Sequence, residues 1–65
     1  MILNGKSISL QGNESLDKLL NNIGVNKEKV VVEVDGVIIP KEDFIETILN
    51  DSNVIEVVSF VGGGW

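Results

Sequence analysis

Cysteine, histidine and arginine are absent from this sequence. Without cysteine there are no disulfides and no thiolate nucleophile, and without either cysteine or histidine there is no zinc site of the usual ligand types. Imidazole acid–base chemistry is excluded with them. Positive charge is scarce. Five lysines face ten acidic residues, for a net charge of −5. Such a surface repels phosphate backbones, so nucleic acid is not an expected partner, whereas a basic protein surface is. Long apolar runs are missing too. The longest, such as residues 30–32 and 37–39, are only a few residues, too short to span a bilayer. Met1, Ile2 and Leu3 lead at once into Asn4, Gly5 and Lys6, which does not resemble a secretion signal. These absences together predict a soluble, cytoplasmic protein with no membrane partner, no bound cofactor and no metal.

What is present is a high aliphatic content in a short chain. Of 65 residues, 43% are hydrophobic, mostly Ile, Leu and Val, which is too apolar for disorder. The length allows one domain with a modest core, so its local signals must agree with one another for it to fold.

Many of them do. Asn4-Gly5 between apolar and alternating residues predicts a type I′ hairpin. In Lys6 to Gln11, Ile8 and Leu10 alternate with Ser7, Ser9 and Gln11, so one face points to a core. Residues 12–14 read as a loop. Ser15 is a candidate helix cap and Asp17 an acidic first-turn residue. Leu16, Leu19, Leu20 and Ile23 then mark one apolar stripe, and Gly24 ends the helix. Residues 30–34 and 37–39 form a second hairpin around Asp35-Gly36, stopped by Pro40. Phe44, Ile45, Ile48 and Leu49 fall at helical spacing and predict a short second helix or helical turn within residues 41–49. After a turn at 51–53, a last strand is expected over 54–61, with Glu56 interrupting one apolar face. Gly62, Gly63, Gly64 and Trp65 follow. Residues 1–61 are thus expected to be the domain and 62–65 a flexible glycine-rich tail.

In order, Leu3-Asn4-Gly5, residues 15–20, residues 34–44, residues 55–58 and the run Val61-Gly62-Gly63-Gly64 resemble the ThiS family of sulfur carriers in thiamine biosynthesis. The resemblance spans nearly the whole chain. It implies an α+β, ubiquitin-like β-grasp fold: a mixed four- to five-stranded sheet, first and last strands parallel at its centre, packed on one main helix with a short second helix. Three positions depart from the family pattern. Residues 51–53 replace a Gly-Asp turn, Lys41 stands where arginine is frequent, and Trp65 follows a tail that ends elsewhere in Gly-Gly.

The resemblance also implies a function without a side-chain active site. An adenylating, E1-like enzyme would activate the Gly64 carboxylate with ATP. A sulfur donor system would convert it to a thiocarboxylate, and a thiazole synthase would receive the sulfur. Gly62 and Gly63 would thread the partner enzyme, since residues without Cβ fit a narrow groove. The chain has no Gly-x-x-x-x-Gly-Lys motif, so ATP is used in trans and the protein is a co-substrate, not an enzyme. Trp65 would then be removed first; the rival reading is a true terminus used for something else. Val58, Phe60 and Glu56 are expected to offer a partner surface on an uncovered sheet face. The blander assignments stand beside these: Glu42 and Asp43 as a solvated helix start, Asp35 as a turn residue, Glu33 as an exposed strand charge, Phe44 as core. Alternatives to the thiamine carrier are a molybdopterin-type or other-pathway carrier, a ubiquitin-like modifier joined through Gly64, and an interaction module with an inert tail.

Overall fold

A computed structural model describes residues 1–10 and 12–60. Gln11 and the expected boundary and tail, residues 61–65, lie outside the described residues.

The two hairpin signals act as expected. Asn4 (φ 50°) and Gly5 (φ 84°) turn β1 (Ile2–Leu3) into β2 (Lys6–Ser7). Asp35 (φ 51°) and Gly36 (φ 84°) turn β4 (Val30–Val34) into β5 (Val37–Ile39). Both pairs occupy the left-handed region that a type I′ turn requires at its two central positions. Regular pairing in β2 covers only two residues, although Ile8 and Leu10 still pack against the core.

Between the hairpins lies α1 (Leu16–Ile23). The Ser15 hydroxyl accepts from Lys18 N at 3.1 Å, and Gly24 closes the helix in the left-handed conformation. Leu16, Leu19 and Leu20 are buried. Ile23 is not: at 41% exposure it corrects the expected stripe, because the last helical position lies at the margin of the core.

Within residues 41–49 the shorter of the two expectations holds, a helical turn and not a second α-helix. Only a single 3-10 turn forms, Lys41–Asp43, followed by a hydrogen-bonded turn over 44–46 and then by β6 (Ile48–Leu49). The physical reason lies in α1. Its first N–H groups have no partner within the helix. Leu16 N donates to Thr47 O at 2.8 Å and Asp17 N to Phe44 O at 3.1 Å. Carbonyls that a second α-helix would use internally are thereby taken by the first helix. Phe44 and Leu49 are buried, while Ile45 (70% exposed) and Ile48 face solvent. Leu49 pairs with Glu14 and Ile48 with Ser15, making residues 14–15 the short strand β3 (Glu14–Ser15) rather than all loop.

The last strand is β7 (Val54–Ser59). The main sheet has five strands in the order β2-β1-β7-β4-β5. The β1–β7 pair is parallel and the others antiparallel, with Ile2 opposite Val54 and Leu3 opposite Ile55. This is the mixed sheet with first and last strands adjacent that the β-grasp expectation describes. Leu3, Val32, Ile55 and Val57 project from one face into the cluster built on Leu16, Leu19, Leu20, Phe44 and Leu49. Among the described residues, no helix is long and apolar enough to cross a membrane.

Candidate functional site

The strand that precedes the glycine tail in sequence lies inside the sheet, paired on both sides. β7 occupies the middle position, with β1 on one side and β4 on the other. Its residues alternate between two environments, as the period of a strand dictates. Ile55 is fully buried and Val57 packs against the core. Val54, Glu56 and Val58 are exposed on the opposite face, Val58 at 59%. Phe60 N donates to Lys29 O at 2.9 Å, which carries the β4 pairing one step past β7, and the Phe60 side chain is 46% exposed. Val58, Phe60 and Glu56, the expected partner surface, are therefore all exposed residues of or next to one strand.

Register adds residues that the sequence alone did not bring together. Val31 lies opposite Val58, and Glu33 opposite both Glu56 on β7 and Ile38 on β5. Ile2 lies opposite Val54. Ile2, Val31 and Ile38 are exposed, and they join Val54 and Val58 on the same open face. The periodicity of each strand was readable beforehand. Which residues of different strands stand side by side depends on pairing, which no single segment records.

Two turn residues do more than turn the chain. The Asn4 side chain bridges to the main chain of β7: Val57 N donates to Oδ1 at 2.8 Å and Nδ2 donates to Val57 O at 3.1 Å. It imitates a strand residue and extends the β1–β7 ladder beyond the point where β1 turns away. Asp35 anchors the other end. Its Oδ1 accepts from Val54 N at 2.8 Å, its Oδ2 from Asn53 Nδ2 at 2.7 Å, and its own N–H donates to Val54 O at 2.7 Å. Sequence reasoning assigned Asn4 and Asp35 to turns only. Their polar, left-handed-tolerant side chains were the signal that they also had hydrogen bonds to place.

Nothing among the described residues forms a catalytic constellation. Among the described residues no group of three or more carboxylates gathers as a metal site, and no buried side-chain polar atom lacks a partner. Asp17 is paired with Lys27 at 2.8 Å and Glu28 with Lys41. Glu42 and Asp43 open the 3-10 turn as exposed charges. What the geometry offers is a central strand paired on both sides and an open apolar face bearing two carboxylates; Gly62, Gly63 and Gly64 lie outside the described residues.

Comparison with known proteins agrees with this arrangement. The ThiS family model matches residues 1–64. The chain is similar to the sulfur carrier protein ThiS of Bacillus subtilis, 40% identical over 63 residues, covering 95% of this chain and 96% of that one. Its fold is similar to the crystal structure of the thiamine biosynthesis protein ThiS from Geobacter metallireducens, with a TM-score of 0.81, 32% identity and coverage of 97% and 96%. It also resembles part of a thiazole synthase from Paramagnetospirillum magneticum, 33% identical over 64 residues. That match covers 98% of this chain but only 20% of the relative, so the chain spans about a fifth of that longer protein.

Proposed function

The chain belongs to the ThiS family of small sulfur carriers in thiamine biosynthesis, and from that premise we propose that its chemistry takes place at the Gly64 carboxylate. The observation that carries the proposal is the family match. It runs over residues 1–64, and within it the central strand β7 precedes residues 62–64 in sequence. A carboxylate is a poor electrophile. Its oxygen attacks the α-phosphorus of ATP in an adenylating, E1-like enzyme, and pyrophosphate leaves. Sulfur supplied at the sulfide level by a donor system then attacks the carbonyl, and AMP leaves. The thiocarboxylate so formed is handed to a thiazole synthase. The thiazole synthase relative that carries a similar segment within its own chain supports that last partner.

Each protein feature has a task in this cycle. Gly62 and Gly63 let the tail extend in a narrow channel and leave the carbonyl open to attack. Ordering that tail costs about 1–2 kcal/mol per residue. Docking of the open face, with Val58, Phe60 and Glu56 at its tail end, offsets that cost. ATP is bound by the partner and not by this chain. Trp65 lies outside the family match, and we infer that water cleaves the Gly64–Trp65 peptide bond under a peptidase before activation. The proposed use of ATP and of these partners favours a cytoplasmic setting for the cycle.

Incubation of a Gly64-ending chain with ATP, the adenylating enzyme and a sulfur donor tests the proposal by intact mass. The expected product is heavier by the exchange of one oxygen for sulfur. An unchanged mass under those conditions, or an isopeptide adduct to another protein, would refute it. Intact mass of the protein from its own cells tests maturation, which fails if Trp65 persists with no shortened form.

A further inference from the structure

Glu33 and Glu56 stand directly opposite each other on the open sheet face, and nothing in the fold explains why. Directly opposed side chains in an antiparallel pair have Cβ atoms about 4.5–5.5 Å apart, and like charges in that relation oppose folding. Neither carboxylate forms an ion pair or hydrogen bond among the described residues. Two of the five lysines are engaged with other carboxylates, Lys27 with Asp17 and Lys41 with Glu28. Around the pair the surface is apolar: Ile38 is the β5 neighbour of Glu33, and Val31, Val54 and Val58 flank the two along β4 and β7.

We propose that Glu33 and Glu56 form a two-carboxylate socket, rimmed by the apolar face, that receives an arginine or lysine side chain of the adenylating enzyme. The proposal rests on the carrier function above. Exposed ion pairs contribute little in water. A pair enclosed by an apolar rim contributes more, because the rim excludes water when the surfaces meet. A guanidinium can bridge two carboxylates through its planar fork. Charge decides the occupant. A second copy of this chain would bring four carboxylates together on two surfaces of net charge −5, which excludes self-docking. An enzyme that binds ATP must concentrate cationic groups near the triphosphate. Chain geometry keeps Gly64 within roughly 30 Å of Glu56, so a basic group beside the nucleotide site can meet the socket while the tail enters. Thiazole synthase is the weaker candidate. A relative with that name holds a similar segment in the same chain, where tethering supplies a high effective concentration without a strong docking surface.

The test is direct binding of the Gly64-ending chain to the purified adenylating enzyme, with intact-mass analysis run in parallel. Glu33→Gln/Glu56→Gln is expected to bind at least tenfold more weakly, with a flatter salt dependence than the unaltered chain. Glu33→Lys/Glu56→Lys is expected to bind more weakly still. A melting temperature of the glutamine variant at or above that of the unaltered chain keeps misfolding out of the comparison. Equal affinity of the glutamine variant and the unaltered chain overturns the socket, and leaves the tail chemistry standing if the mass still changes. Loss of affinity toward thiazole synthase alone overturns the choice of occupant. Socket-dependent binding without any mass change refutes the tail chemistry and keeps the socket. An unaltered chain that does not bind the adenylating enzyme at all refutes both.

Discussion

The two faces of the central sheet are built from the same strands and share the same aliphatic residue types, yet they do different things. On one face Val32 and Ile55 are fully buried against Leu16, Leu19 and Leu20. On the other, Val31, Val58 and Ile38 are left in water around two carboxylates. A 65-residue chain can bury only a limited area. Leaving half of its sheet uncovered is therefore a choice with a thermodynamic cost, and a binding surface is the physical account of it. Hydrophobicity in this chain does not by itself mean core. The register decides which valine holds the fold and which is offered to a partner.

Ile55→Ala tests the covered face and carries the largest expected effect. Truncating a fully buried side chain in the central strand should cost about 2–5 kcal/mol in a urea melt. Small domains have roughly 5–15 kcal/mol in all, so this one change would leave a visibly unfolded population. A loss below about 1 kcal/mol would mean that the two faces of β7 are not as different as their burial indicates.

Next comes a change that touches neither face. Asn4→Ala removes two hydrogen bonds to Val57 and puts a less suitable residue at φ 50°. At about 1 kcal/mol for each hydrogen bond, the loss should be about 2 kcal/mol. Amide hydrogen exchange is expected to quicken at Val57, whose N–H loses its Asn4 Oδ1 acceptor, before it does at Ile55 on the same strand. Equal protection at Val57 with and without the Asn4 side chain would show that the faces alone fix β7.

Val58→Asp sharpens the comparison from the open side. The residue is mostly exposed, so stability should fall by no more than about 1 kcal/mol, through lost strand propensity and a third carboxylate beside Glu33 and Glu56. Affinity for the adenylating enzyme should fall about tenfold, equivalent to about 1.4 kcal/mol. A stability loss as large as that of Ile55→Ala would place Val58 functionally with the core.

How much of this was legible in the sequence depends on distance along the chain. Asn4-Gly5, Asp35-Gly36, the Ser15 cap and the leucine spacing of α1 are local signals, and each formed what it specified. In segment 41–49 the helical turn was legible but its early end was not, because the decisive contacts are remote. Phe44 and Thr47 give their carbonyls to the N–H groups of Asp17 and Leu16, and Leu49 pairs with Glu14, so the helical spacing of Phe44, Ile45, Ile48 and Leu49 was incidental. Ile23 fits the apolar period but lies one step past what the sheet covers. The site shows the same division. Exposure of Val58, Phe60 and Glu56 followed from alternation within one strand, whereas the opposition of Glu33 and Glu56 needed the register between β4 and β7. The glycine tail was visible only as composition and family resemblance.

The smallest expected effect has the opposite sign from the rest, which makes it the sharpest. Glu33→Gln keeps shape and removes one of two like charges that face each other across β4 and β7. No ion pair is lost, because Glu33 makes none among the described residues. Opposed pairs of this kind contribute about 0.2–1 kcal/mol, so the variant should be more stable than the unaltered chain by an amount in that range. The gain should shrink in high salt, where exposed charges more than about 10 Å apart are already screened at 0.1 M and closer ones are progressively weakened. For a domain with little stability to spare, a single isosteric change that improves the fold and weakens docking would mean that the carboxylate pair is kept for the partner. Destabilisation by Glu33→Gln in a low-salt urea melt would mean instead that Glu33 supports the sheet, and the contrast between a face that holds and a face that binds would lose its strongest residue.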